Sequence, residues 1–207
     1  MNNSGITGII LAGGKSSRMG KDKGWVLFRK KPLIDYAVEL LGGICQSIVI
    51  SANNSAYGKL GLPVYHDIIP DSGPMGGIYT CLKHSSTKQN LVLACDMPFV
   101  SGDLLNYLIN HSNGFMAVIP QTSDGNYEPL CGFYHKEMVE VLEKLILSHQ
   151  FKMLNILEES SVNVLSFSPE LPFYCKELFL NVNTLNDLKW ERQEPEMNMH
   201  NPKHHAR

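Results

Sequence analysis

Between residues 7 and 167, short apolar runs of strand length alternate with stretches of helical spacing, and this alternation constrains the fold more than any other feature of the chain. Thr7 to Leu11, Ser47 to Ser51, Leu91 to Ala94, Phe115 to Ile119 and Val162 to Phe167 read as strands, with Pro129 to Tyr134 as a further extended segment. Such near-continuous apolar runs suit a sheet that is covered on both faces. Between them, Pro32 opens a helix with Leu33, Ala37, Leu40 and Leu41 on one face. Ser101 to His111 carries Leu104, Leu105, Leu108 and Ile109, and Lys136 to Leu147 turns Val139, Leu142 and Ile146 inward. Parallel strands need crossover connections, and the helices supply them. The expected class is therefore α/β, a doubly wound and mostly parallel central sheet between two helical layers.

The 207 residues, 43% of them hydrophobic, fit one domain with a sizeable core. Residues 1–190 are expected to form it, with Thr184 and Asp187 as a capping box for a short last helix. From about Glu191 the apolar period is lost, and 191–207 read as a polar, disordered tail. His200, His204 and His205 in that tail offer metal-binding chemistry, but a solvated tail is the favoured reading. A formal charge of −2 gives no reason to expect a general nucleic-acid or membrane-surface binder, so affinity for anions must come from local clustering. No stretch approaches the roughly 18 apolar residues of a membrane span, and the start lacks a secretory signal pattern, so a cytoplasmic protein is expected. Five widely spaced cysteines without a C-x-x-C indicate neither a disulfide framework nor a zinc site.

The first strand runs into LAGGKSSRMGKDKG, Leu11 to Gly24, a glycine turn followed by Lys15, Arg18 and Lys23. A glycine-rich turn between strand and helix presents backbone N–H groups to an anion. Two common phosphate-loop spacings fail here. Walker A needs a glycine where Ile9 stands, and Gly13, Gly14 and Gly20 do not satisfy G-x-G-x-x-G. A different nucleotide loop is indicated, in which Arg18 can fork onto phosphate oxygens and Lys23 sits where the loop folds back. Asp96 follows a strand and precedes Met97-Pro98, so its carboxylate points to the same crevice and suits Mg²⁺, which takes one or two carboxylates plus substrate phosphates. Asp67 follows the extended Pro63 to Tyr65 and either accepts from the N–H donors of guanine or serves a structural turn. Gly73, Gly76 and Gly77 form a second glycine loop that opens a helix, facing a ligand or packing on the sheet. Asn181 and Asn183, two apart, would project to one side of a strand.

LAGGKSSRMGKDKG resembles the signature loop of nucleotidyltransferases with a three-layer α/β/α, Rossmann-like, glycosyltransferase-A-like fold. Together with HDIIPDSGPMGGI (66–78), LACDMPFV (93–100), YEPLCGFY (127–134) and NVNTLNDL (181–188), its order and spacing are similar to the molybdenum cofactor guanylyltransferases, from about Gly8 to Trp190. The resemblance implies that Leu11, Ala12, Gly13, Gly14, Lys23, Asn53, Asp67, Gly73, Gly77 and Asp96 surround the nucleotide. For the family's asparagine after the second strand, the ungapped match falls on Ser51, beside Asn53. It implies Lys23, Arg18 and Asp96 as the catalytic set, Asp96 as the Mg²⁺ ligand, and Asn181 and Asn183 on the pterin side. Lys152 stands where relatives place an arginine for the incoming phosphate; it keeps the charge and loses the bidentate fork.

The implied substrates are GTP and the molybdopterin cofactor, with molybdoenzymes or other cofactor-biosynthesis proteins as further partners. Two anions meet in such a reaction, so the site must neutralise both and stabilise the departing pyrophosphate. A phosphate monoester is itself the nucleophile, and no nucleophile–base pair among the cysteines and histidines suggests covalent catalysis. Transfer from CTP, transfer to a sugar phosphate, and a non-catalytic cofactor carrier remain as alternatives.

Overall fold

The computed structural model describes residues 5–13 and 22–182. Gly14, Lys15, Arg18, Asn183, the Thr184 and Asp187 capping box and the 191–207 tail lie outside the described residues. In chain order the elements are β1 (Ile6–Leu11), β2 (Leu27–Phe28), β3 (Lys31–Pro32), α1 (Leu33–Gly42), β4 (Ser47–Ser51), β5 (Val64–Tyr65), α2 (Gly73–His84), β6 (Gln89–Ala94), α3 (Gly102–Asn110), β7 (Ala117–Gln121), β8 (Cys131–His135), α4 (Met138–Leu147), α5 (Ile156–Glu159) and β9 (Val162–Ser166). Lys23–Trp25 and Met153–Asn155 form single 3-10 turns, and Ser55–Leu60 a 3-10 stretch of six residues.

Seven strands make the main sheet in the order β5-β4-β1-β6-β8-β7-β9. All neighbours are parallel except at β8, which runs antiparallel to both β6 and β7. The sheet is thus mostly parallel, as the strand and helix alternation requires. Its five inner strands are largely buried on both faces, where successive side chains point to opposite sides, while the edge strands β5 and β9 are half-exposed. Ile6 and Ile10 of β1 join one core with Ile34, Ala37 and Leu41 of α1 and Leu104, Leu105 and Leu108 of α3. Ile9 and Leu11 of the same strand join the other core with Met75, Ile78 and Leu82 of α2 and Met138, Leu142 and Ile146 of α4. The two cores lie on opposite faces and complete the three layers. Ser101 caps α3, its side chain accepting from the Leu104 N–H, which is why that helix begins where the sequence suggests.

β2 and β3 form a small separate hairpin whose two turn residues, Arg29 and Lys30, both adopt positive φ (49° and 64°). Phe28 of this hairpin packs with Val26, Leu33 and Val182 in a third apolar cluster, flanked by Tyr36 and Phe99. The strand order reverses between β4 and β6, on either side of β1. Ligands of open α/β sheets bind at such a point, outside the carboxyl ends of the strands.

Candidate active site

The carboxyl ends of β1, β4 and β6 are laced together by the backbone. Ala12 N–H donates to the Ser51 carbonyl at 2.9 Å and Cys95 N–H donates to the Leu11 carbonyl at 3.1 Å. Leu11 and Ala12 are buried and Gly13 is exposed, so the chain surfaces at the first residue of the glycine turn. Asp96 lies one residue beyond that lacing, in the turn after β6, and is only 8% exposed. The ammonium of Lys23, at the start of a 3-10 turn, forms an ion pair with Asp96 Oδ2. The Asn181 amide, oriented with its nitrogen toward the carboxylate, donates to both Asp96 oxygens at 3.2 Å. Val182 N–H donates to the Asp96 carbonyl at 2.9 Å. Three segments far apart in sequence therefore meet at one carboxylate. The Phe28 cluster lies directly behind them, since Val26, Phe99 and Val182 follow Lys23, Asp96 and Asn181 by one to three residues.

Glu128 is a functional candidate that the sequence reading passes over. Ala94 N–H donates to the Leu130 carbonyl at 2.9 Å, and Cys131 N–H donates to the Glu128 carbonyl at 3.1 Å, so Glu128 begins the turn that leads into β8 beside the end of β6. Burial pushes the Glu128 carboxyl above the ordinary carboxylate range, and the charge of Asp96 adds to the effect. Only its place in YEPL, within the segment facing LACDMP, could have pointed to it.

On the other side of β1, Ser51 Oγ donates to Asp67 Oδ1 at 3.4 Å. Burial raises the Asp67 carboxyl, while the Ser51 hydrogen bond and the neighbouring His66 oppose that rise. Gly77, in the second turn of α2, lies against β4. A Cβ there would collide with Ser51 Oγ, which is the physical need for glycine at that position. Gly73 opens α2 with Pro74 behind it. Ser51, not Asn53, thus carries the polar contact after β4, and Asn53 is exposed.

One expectation needs correction. Asn181 belongs to no strand, so strand alternation does not orient it; the hydrogen bond of Val182 to Asp96 does. Lys152 is exposed and caps the 3-10 turn Met153–Asn155, with no hydrogen bond or ion pair from its ammonium among the described residues.

The four buried thiols are ill suited to attack. Burial pushes Cys45 and Cys81 up to about 12, and Cys95 and Cys131 higher still. A metal at the Asp96 end of the sheet would meet oxygen donors, with Glu128 as the second nearby carboxylate. Among the described residues no group of three or more metal-ligating side chains gathers. This donor set fits a hard cation that takes most of its remaining ligands from substrate phosphates and water.

A mostly parallel sheet whose switch point carries a glycine turn, a lysine and a carboxylate has the architecture of a nucleotidyltransferase of the α/β type. The chain belongs to the MobA-like NTP transferase family, whose domain model matches residues 8–164. It is 34% identical over 183 residues to a probable molybdenum cofactor guanylyltransferase of Flavobacterium johnsoniae, covering 88% of this chain and 96% of that one. It is 35% identical over 185 residues to a protein of the same description from Clostridium perfringens, covering 86% and 91% respectively. The crystal structure of molybdopterin-guanine dinucleotide biosynthesis protein A from Archaeoglobus fulgidus superposes with a TM-score of 0.73 at 27% identity, over 89% of this chain and 95% of that one.

Proposed function

We propose that this chain transfers GMP from GTP to the terminal phosphate of the molybdopterin cofactor and releases pyrophosphate. The observation that carries this reading is the Lys23–Asp96 pair at the switch point of the sheet, in a chain so similar to guanylyltransferases over nearly their whole length.

An oxygen of the cofactor's phosphate attacks the α-phosphorus of GTP, the new O–P bond forms, and the bond between the α-phosphorus and the bridging oxygen to the β-phosphate breaks. The electron pair leaves with pyrophosphate. Asp96 would hold Mg²⁺, with Glu128 near enough to contribute to the cation's field. When bound, that cation offsets the negative charge of the phosphates. Lys23 turns from Asp96 to the phosphates and compensates the charge that develops on the leaving group. Asn181 holds the Asp96 carboxylate in a fixed plane, and Arg18 supplies a further cation from the glycine loop. Asp67, steadied by Ser51, accepts from the ring N–H and amino group of guanine. Gly13 and Gly14 let the backbone approach the nucleotide, and Gly73 and Gly77 bring the start of α2 close to it. Lys152 and Asn183 serve the pterin side.

The test is pyrophosphate release with Mg²⁺, the molybdopterin cofactor and each nucleoside triphosphate in turn, with Asp96→Ala as control. Release with GTP alone, lost in the variant, is expected. Release with CTP alone would overturn the role given to Asp67, and a fully active Asp96→Ala would overturn the metal assignment.

A further inference from the structure

Lys23 is flanked by two residues whose contacts the transfer chemistry does not use. Asp22 Oδ1 accepts from Gly24 N–H at 3.2 Å and from the Tyr57 hydroxyl, and Asp22 Oδ2 accepts from Asn54 Nδ2 at 2.8 Å. Asn54 is itself fixed, because its Oδ1 accepts from Ala56 N–H at 2.9 Å and caps the 3-10 stretch Ser55–Leu60. Tyr57 is fully buried, and its ring stacks on Trp25 with centroids 5.2 Å apart and planes 17° from parallel. The Tyr57 hydroxyl lies so close to Gly24 that any Cβ there would collide with it.

Three donors therefore converge on the two oxygens of Asp22, one from Gly24 on the far side of Lys23 and two from the segment that follows β4. We propose that Asp22 is a positioning residue, whose carboxylate staples the Lys23 loop to the turn after β4 and thereby holds the Lys23 ammonium in register with Asp96. The proposal rests on the reading of Lys23 as the phosphate-facing cation. Both Asp22 oxygens are engaged by protein donors, so its action is through Lys23 and not on the substrate. The anchor turn follows directly on β4, whose last residue is Ser51, the partner of Asp67. The staple thus ties the phosphate side of the site to the base side. A carboxylate is required because an asparagine at 22 would set its amino group against one of three donors.

The experiment compares Asp22→Asn, Asn54→Asp and the double exchange. In the double exchange the amide at 22 donates to the carboxylate at 54, which still accepts from Ala56, while the amide oxygen at 22 accepts from Gly24 and Tyr57. Asp22→Asn is expected to lower kcat about tenfold with KM for GTP changed by less than about twofold, since misplacing one catalytic cation acts on the transition state. The exchange should restore kcat to within about threefold of the parent. In parallel, Lys23 is followed as its dimethylated ammonium by NMR in the nucleotide-free protein. That resonance should shift in Asp22→Asn and return in the exchange.

A folded Asp22→Asn with parental kcat and an unmoved Lys23 resonance would overturn the staple, as would an exchange no better than the single variant. A wild-type protein inactive with GTP, but whose Lys23 resonance follows the expected pattern, would overturn the guanylyl-transfer reading and leave the staple standing. If Asp22→Asn does not fold, Tyr57→Phe removes one donor and carries the same readouts.

Discussion

Replacing Lys23 by Ala should make the nucleotide-free protein a better cation binder and a poorer enzyme. The Lys23 ammonium occupies the carboxylate that a cation would need, so a divalent ion must first displace it. The side chains of Lys23 and Asp96 are 26% and 12% exposed, so the pair is neither a surface bridge nor a buried one. Exposed pairs contribute up to about 1 kcal/mol, and breaking a buried pair costs about 3–5 kcal/mol, which puts this competition at about 1–2 kcal/mol. At 1.4 kcal/mol per tenfold, the variant should bind Mn²⁺ about 5- to 30-fold more tightly than the parent. The assay is titration of the free Mn²⁺ signal by electron paramagnetic resonance without nucleotide, with Asp96→Ala as the control that removes the site. Turnover should meanwhile fall by about 10²-fold or more, the usual loss when one group that stabilises developing charge is deleted. Unchanged or weaker Mn²⁺ binding in a folded Lys23→Ala would refute the competition.

Two further outcomes follow from the base side. Burial raises the Asp67 carboxyl above its unfolded value, so the stability tied to its protonation is complete below the ordinary aspartate range and is lost as pH rises through the raised value. Asp67→Asn should therefore melt higher than the parent near neutral pH, with the gain vanishing below about pH 4, the ordinary aspartate range; thermal melts across pH check this, and KM for GTP should rise in the same variant. Gly77→Ala should force Ser51 away from α2, cost about 1–3 kcal/mol by overpacking and raise KM for GTP more than it lowers kcat, as melts and steady-state kinetics would show.

The large elements are legible because their signals are local. The apolar runs of β1, β4 and β6 and the apolar faces of α1, α3 and α4 declare themselves within a few residues. The β2–β3 hairpin gives no such sign, since each strand has two residues and the turn places Arg29 and Lys30, not glycine or asparagine, at positive φ. At the site, Lys23, Asp67 and Asp96 stand out because a charged residue beside a glycine turn or at a strand end has few structural uses. Glu128 does not, because only the turn into β8 brings it toward Asp96, and Asn181 is legible as one of an amide pair but not as a partner of Asp96, which a backbone bond from Val182 supplies. Ser51 hides for a related reason. It reads as the last residue of a strand, and only the packing of Gly77 and the approach of Asp67 reveal its hydroxyl. Asp22 sits in plain view beside Lys23, yet its partners Asn54 and Tyr57 lie more than thirty residues away.

The cluster around Phe28 has a meaning beyond packing. Val26, Phe99 and Val182 are neighbours in chain of the three polar groups that meet at Asp96, and they share one small apolar patch that belongs to neither large core. Hydrocarbon contacts a few residues removed from the chemistry thus decide whether an ammonium, a carboxylate and an amide stay aligned. Local opening draws on the stability of the unit that opens and not on that of the whole molecule. Loosening this patch would scatter the three groups while the sheet and its four long helices stayed intact. The working state of the protein therefore has a lower threshold of failure than its fold, and a molecule can be silent while still fully assembled around its sheet.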